Sequence, residues 1–130
     1  SLGFAHYRQS IRVVERLEKN GAGLNLTWEV RDGILNHRTS GSPHTLEGQI
    51  VRLCDKISYI HHDMDDAQGQ GITEDDIPIT LRLLLGENTK ERLNTFIHDI
   101  VDNSRGKDAI SMSPEIERDC GTFGTLCSRM

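Results

Sequence analysis

The stretch LEGQIVRLCDKISYIHHDMDDA, residues 46–67, decides the fold of this chain. Its apolar side chains recur every three or four residues, and this period places them on one face of an α-helix. These residues are Ile50, Leu53, Ile57, Ile60 and Met64. We therefore predict a long amphipathic helix from about Leu46 to Ala67, closed by Gly69 and Gly71.

The same helical period recurs through most of the remaining chain. A first helix is predicted to end at Asn20-Gly21, and a second to begin with Asn25 or Thr27 as its cap. A last clear helix begins near Thr89. The apolar stripes of the three are Ile11, Val14 and Leu17; Leu26, Val30 and Ile34; and Leu93, Phe96, Ile97 and Ile100. No segment alternates as a strand does, so we predict an all-α helical bundle.

The composition excludes several classes of protein. With 130 residues, 35% of them hydrophobic and 27% charged, the chain is typical of one soluble domain with a modest core. The formal net charge of −5 argues against a broad nucleic-acid surface, and no apolar run is long enough to cross a bilayer. The three cysteines form neither a disulfide framework nor a zinc spacing. We therefore expect a cytoplasmic protein in which Cys54 is a buried small hydrophobe.

The long helix also carries the residues best suited to chemistry. Asp55, Tyr59 and Asp63 are spaced i, i+4 and i+8, which places them on one stripe of the helix. Two carboxylates and a phenol in line suit a site that holds a metal and phosphate oxygens. The alternative is an ordinary solvated helix face. His6 is a candidate catalytic residue near a helix start, where the alternative is a cap neighbour or a surface residue, and we interpret the other loop and polar-face histidines as structural. These are His37, His44 and His98.

Several long stretches match one known family. They are FAHYRQSIRVVE (4–15), GLNLTWEVRDGILNH (23–37), the deciding stretch (46–67), ERLNTFIHDIVDNS (91–104) and ISMSPEI (110–116). Together they resemble the deoxyguanosine triphosphate triphosphohydrolase-like enzymes of the HD-domain superfamily, whose corresponding long helix reads LEGQxVRxADxIAYxxHDxDDA. The resemblance extends from Phe4 to Glu117, nearly the whole chain.

The resemblance implies a reaction and a role for each candidate residue. Such enzymes split a deoxynucleoside triphosphate into the deoxynucleoside and tripolyphosphate, using a divalent metal ion of the Mn, Mg, Fe, Co or Ni type. By similarity, Asp55 is a metal ligand, and Tyr59 and Asp63 face the substrate phosphates. His6 matches a proposed proton donor or relay. Tyr7-Arg8 replaces the usual Asn-Glu, which puts the orientation of His6 in question.

The resemblance also implies that the site is incomplete. In such enzymes a His and a His-Asp pair complete the metal site, and they lie upstream of the segment that contains His6. No matching residues precede His6 here, so we expect residues 1–119 to be a partial HD-type domain that is inactive alone. We expect it to be marginally stable or to aggregate. The full-length form is expected to be a homo-oligomer with a deoxynucleoside triphosphate substrate, no membrane contact, and single-stranded nucleic acid as a candidate regulator.

Two other functions stay open at this point. One is a different HD phosphohydrolase, such as a nucleotide phosphatase or a cyclic-nucleotide phosphodiesterase, although the long match in residues 23–35 argues against it. The other is a non-catalytic helical interaction or regulatory module derived from the same family. Stability that depends on a partner, without any dependence on metal, would favour this second alternative.

Residues 120–130, CGTFGTLCSRM, form an atypical tail with no apparent hydrophobic period. In the resembled enzymes, MSPE is followed by a helix of the type LRxFMF. One allowed set of codons, with one base inserted after Asp119, encodes MRNFRDFMFKN, which fits that helix. We therefore hypothesise a frameshifted reading, in which the tail has no selected structure and neither Cys120 nor Cys127 has a role.

Overall fold

The computed structural model describes residues 4–38, 40–71 and 73–129, with the backbone alone for residue 74 and residues 122–129. Within these ranges the chain forms α-helices and no strand, which confirms the predicted all-α fold. The helices are α1 (His6–Arg12), α2 (Trp28–Asn36), α3 (Leu46–Gly69), α4 (Ile79–Leu85), α5 (Thr89–Ser104) and α6 (Pro114–Arg129). None of them combines the length and apolar character that crossing a membrane requires.

Two compact units divide the chain. The N-terminal unit, Ser1–Lys56, contains α1, α2 and the first part of α3. The C-terminal unit, Ile57–Met130, contains the remainder of α3 together with α4, α5 and α6. The boundary falls inside α3, so this one helix supplies residues to both units.

The first helix ends in a chain reversal, as the sequence predicts. A single π-helical segment, Val13–Leu17, follows α1 directly, and a short 3₁₀ turn, Lys19–Gly21, comes next. Asn20 and Gly21 adopt positive φ angles of 56° and 94°, a conformation that asparagine and glycine tolerate best. The continuous helical segment therefore ends at Leu17, three residues before the predicted end, because Glu18 is extended; Asn20 and Gly21 lie in the turn that follows.

Gly23 lets the returning chain lie directly against the π-helical segment. Its φ of 78° is left-handed, and a β-carbon here would overlap the carbonyl oxygen of Glu15. The next residue, Leu24, donates its backbone N–H to the carbonyl oxygen of Val14 at 2.7 Å. A residue with a side chain at position 23 would have to separate these two segments.

The second helix begins at the second of its two predicted caps. Thr27 is the N-cap of α2, and its Oγ1 accepts a hydrogen bond from the backbone N–H of Val30 at 3.4 Å. Asn25 instead has a positive φ of 53° and lies outside the helix. The apolar stripe predicted for this helix is not a core, because Leu26 precedes α2 and Val30 is exposed.

The long helix α3 follows its predicted course, with two corrections. Of the predicted apolar stripe, Leu53, Ile57, Ile60 and Met64 are buried. Ile50, however, is 46% exposed, so burial begins only at Leu53. Cys54 is also exposed, and the prediction that it is buried is wrong. Adjacent helical residues point about 100° apart, so burial of Leu53 turns Cys54 away from the same face.

The buried core of the C-terminal unit takes residues from α3, α4, α5 and α6 and from the segments that precede α4 and α6. Its buried apolar residues are Ile57, Ile60, Met64, Ala67, Ile77, Leu81, Leu85, Phe96, Met112, Ile116 and Cys120. On α5 the buried line consists of Arg92 and Phe96, four residues apart. Ile97 points about 100° away from Phe96 and is exposed, so the predicted apolar face of α5 is only partly buried.

The last helix continues through the tail that was expected to lack regular structure. α6 begins after Ser113, whose backbone N–H donates to Oδ2 of Asp99 at 2.8 Å. Cys120 is completely buried, so it has a packing role that the sequence analysis denied it. Ile116 and Cys120 lie one helical turn apart and share the buried face. The hypothesis of a frameshifted reading stays untested by these observations.

Candidate functional site

An open groove in the N-terminal unit lies between α2 and the first turns of α3, and Ser10 of α1 also lines it. Its volume is about 870 Å³, within the range of roughly 300–1,000 Å³ that is usual for small-molecule pockets. Val30 and Ile34 of α2 and Val51 of α3 contribute apolar surface. Two residues of the apolar stripe predicted for α2, Val30 and Ile34, therefore line this groove.

The charged side chains of the groove are acidic. Glu29, Glu47 and Asp55 all line it, and its described lining includes no lysine or arginine. Carboxylates without nearby cations attract positively charged groups and repel a bare polyphosphate. The groove therefore suits a cation, or an anion that arrives together with one.

Asp55, the predicted metal ligand, is an exposed residue of this groove. Within the described part of the chain, no three His, Cys, Asp or Glu side chains come together as a set able to hold a metal ion. A catalytic metal site commonly uses about three protein ligands, and hard divalent ions need several oxygen ligands. The described residues therefore do not by themselves fit a catalytic metal.

Tyr59 and Asp63 lie further along α3, in the C-terminal unit. Tyr59 is 60% exposed and Asp63 is partly buried. Because α3 is continuous from Leu46 to Gly69, the predicted helical spacing of both residues from Asp55 is confirmed. Their contact with phosphates stays a prediction.

The histidines at this end of α3 do not act as one cluster. The Nδ1 atom of His61 lies 2.8 Å from the carbonyl oxygen of Ile57, and the ring meets that of Phe96 edge-on at 5.9 Å. His62, the next residue, is exposed. His61 therefore packs inward, where its ring contacts the core.

His6, the predicted proton donor, is the first residue of α1 and is exposed. Its ring meets the ring of Phe4 edge-on, with centroids 4.8 Å apart. Its backbone carbonyl accepts a hydrogen bond from Oγ of Ser10 at 2.9 Å. Ser10 lines the groove, whereas His6 is not among the lining residues.

The sequence analysis missed a polar network centred on Asp32 of α2. Asp32 is only 7% exposed, and His44 donates to its carboxylate through the backbone N–H at 2.8 Å and faces it through Nδ1 at 2.7 Å. Asn36 donates its side-chain amide to the same carboxylate at 3.0 Å. From the sequence alone, only the contact between Asp32 and Asn36 could have been predicted, because these residues are one helical turn apart. His44 is twelve residues from Asp32, and no regular spacing connects the two. The interpretation of His44 as structural agrees with these contacts.

Opposing effects act on the pKa of the Asp32 carboxyl. Burial raises the pKa, but the hydrogen bonds and the charge supplied by His44 lower it, as does the hydrogen bond from Asn36. The net result is a pKa below the ordinary aspartate value. The network therefore favours the ionised form of the Asp32 carboxyl. Through its contacts with His44, this carboxylate connects the loop before α3 to α2.

Because the pKa of Asp32 is lowered on folding, we expect a defined loss of stability in acid. The contribution is fully present above the ordinary aspartate pKa, about 4, and is lost as the pH falls through the lowered folded value. Urea unfolding at several pH values should show this loss. Asp32→Asn should flatten the acid limb of the profile, whereas Asp102→Asn, at an exposed position, should leave it unchanged. If Asp32→Asn loses as much stability at low pH as the unsubstituted chain does, the acid loss does not come from Asp32.

Three curated proteins that are similar to this chain share one name. The protein from Caldanaerobacter subterraneus subsp. tengcongensis is 56% identical over 115 residues, which cover 88% of this chain and 34% of that relative. One from Clostridium perfringens strain SM101 is 47% identical over 88% of this chain and 36% of its own length. One from Geobacter sulfurreducens is 35% identical over 81% of this chain and 31% of its own length. Each is named deoxyguanosinetriphosphate triphosphohydrolase-like protein.

The chain is homologous to part of a deoxyguanosinetriphosphate triphosphohydrolase-like protein. The resemblance seen in the sequence is thereby confirmed. The chain spans about a third of the length of these curated relatives. No family model matches it.

The four predicted site residues of this chain are distributed over both units. Asp55 lines the groove, and His6 belongs to the same unit without lining that groove. Tyr59 and Asp63 belong to the C-terminal unit. The residues that add chemistry to the groove beyond the prediction are Glu29 and Glu47, which only the folded α2–α3 pair reveals.

Proposed function

We propose that this chain is the part of a deoxynucleoside triphosphate triphosphohydrolase that contributes one carboxylate ligand, Asp55, to a divalent metal site. The reaction would release the deoxynucleoside and tripolyphosphate. The observation that carries the proposal is the 56% identity over 88% of the chain to a triphosphohydrolase-like protein. The position of Asp55 in an open, acidic groove supports the same role.

The other site residues have surroundings that suit their proposed roles. The exposure of Tyr59 lets a phenol donate a hydrogen bond to a phosphate oxygen, and the partial burial of Asp63 suits an orienting contact through water or a basic neighbour. His6 is exposed at the start of α1, where an imidazole can exchange a proton near neutral pH. The metal needs ligands in addition to Asp55, and we propose that the whole protein supplies them.

One observation favours a second function, that of a non-catalytic interaction module. Val30 and Val51 line the groove and are each about half exposed, so the groove presents apolar surface to solvent. Such a groove can accept apolar side chains of a partner without any metal. The same exposed surface would promote the homo-oligomer expected of the full-length form.

Two proteins, the pure chain and a chimera, test the proposed function against this alternative. The pure chain, given dGTP with Mn²⁺ or Mg²⁺, is expected to release no detectable tripolyphosphate, because its described residues hold no complete metal set. A chimera in which this chain replaces the matching 115 residues of the Caldanaerobacter relative is expected to hydrolyse deoxynucleoside triphosphates within about tenfold of that relative's rate, since most residues are shared.

The parent relative, assayed beside the chimera, is the control. Hydrolysis by the pure chain would overturn the view that its site is incomplete. An active parent with an inactive, folded chimera would favour the interaction module instead. A parent that hydrolyses none of the four deoxynucleoside triphosphates would remove the support for the proposed reaction.

A further inference from the structure

Two arginine side chains of the N-terminal unit share one aromatic ring. The Cζ atom of Arg38, in the loop after α2, lies 3.9 Å from the centroid of the Tyr7 ring on α1. The Cζ atom of Arg8, next to Tyr7, lies 5.7 Å from the same centroid. Both distances are within the roughly 6 Å over which a ring attracts a guanidinium. Two positive charges therefore lie close to the Tyr7 ring.

Within the part of the chain that the structure describes, no ion pair joins either of these charges to a carboxylate. The ion pairs Arg31–Glu15, His44–Asp32 and Arg82–Asp75 of the described residues involve neither Arg8 nor Arg38. Both arginines are exposed. Two like charges near one ring repel each other, and a bound anion would relieve that repulsion.

The position of the Arg38 guanidinium over the Tyr7 ring also suits the binding of an anion. A guanidinium that stacks on a ring directs its N–H groups outward in its own plane, where they can meet phosphate oxygens in pairs. The backbone of Arg38 is held in place, because Nε of Arg52 donates to its carbonyl oxygen at 3.2 Å. The loop and the ring therefore hold the side chain in position before any ligand arrives.

We propose that Tyr7, Arg8 and Arg38 form a binding site for a phosphorylated anion, either a free polyphosphate or a nucleic-acid phosphate. This cluster contrasts with the acidic groove of the same unit, where Glu29 and Glu47 repel such an anion. Tyr7 and Arg8 are also the residues at which this chain departs from the resembled enzymes. Binding at this cluster requires neither metal nor hydrolysis, so the inference does not rest on the proposed function.

The test is calorimetric titration of the chain with tripolyphosphate, in chelator and at low salt. Arg8→Gln and Arg38→Gln are each expected to weaken binding about tenfold, as is typical for a lost charge-assisted contact. Arg16→Gln, an exposed arginine of the same unit, is the matched control and should change affinity less than about twofold. Tyr7→Leu keeps both charges and removes the ring, and should weaken binding about threefold.

Parallel titrations with dGTP and with a short single-stranded oligonucleotide identify the source of the phosphate. Tighter binding of dGTP and tripolyphosphate indicates a nucleotide or polyphosphate ligand, whereas tighter binding of the oligonucleotide indicates a nucleic-acid backbone. In either case the double variant Arg8→Gln/Arg38→Gln should lose the preferred ligand. The proposal is wrong if no probe binds, if Arg16→Gln weakens binding as much as the double variant, or if Tyr7→Leu has no effect.

Discussion

Asp55→Asn is expected to lower deoxynucleoside triphosphate hydrolysis by at least about 100-fold in the chimera that carries this chain. Loss of an outer-shell partner of a metal ligand already costs roughly 10–100-fold in metal affinity or activity, and loss of a direct ligand should cost more. An amide is nearly the same size as a carboxylate but lacks its charge. The fold should therefore persist while the metal is held less tightly. Initial rates across a metal titration measure the effect.

Asp65→Asn is the matched control for that experiment. Asp65 is an exposed acid of the same helix, α3, so the substitution removes the same charge from the same element. It should leave the rate within about twofold. If Asp55→Asn retains most of the activity at saturating metal, Asp55 is not a ligand, and the acidic groove needs another explanation.

Phe96→Ala is expected to destabilise the chain by about 3–5 kcal/mol, the usual cost of emptying a fully buried phenylalanine site. The Phe96 side chain is 0% exposed and contacts the ring of His61, so its loss opens a cavity between α5 and α3. Urea unfolding followed by circular dichroism measures the change in the free energy of unfolding. A marginally stable domain would lose most of its helix content.

Ile97→Ala is the control for Phe96→Ala. Ile97 is the next residue of α5 and is 55% exposed, so its truncation should cost less than about 1 kcal/mol. Equal effects of the two substitutions would mean that α5 packs on a different face from the one described.

The long helix was the most predictable element, because its signal is local and repeated. Residues from Leu53 to Met64 keep a helical period over several turns, and burial follows it. The face of α5 was harder to predict, since a buried arginine, Arg92, defines its inner line beside Phe96. A rule that places apolar residues inside and charged residues outside therefore predicts an inner face of α5 that lies about one residue away from the observed one.

The contacts that join distant parts of the chain could not be predicted. His44 reaches Asp32 across a loop, and Arg38 reaches Tyr7 from thirty-one positions along the chain. Neither pair has a fixed spacing that a sequence pattern could detect. The helix spacing of Asp55 with Tyr59 was readable, whereas the acidic groove around Asp55 depends on how α2 meets α3.

Because of the π-helical segment, Val13–Leu17, a one-residue insertion or deletion near the start of the chain would change which way the side chains of α1 point. Glu18 donates its backbone N–H to the carbonyl oxygen of Val13, five residues back, so this turn holds one residue more than an α-turn. Deleting any one residue of the segment would restore the α-turn and rotate Tyr7 and Arg8 by about 100° about the helix axis. A homologue with a one-residue gap here would present a different face at α1, even with every aligned residue unchanged.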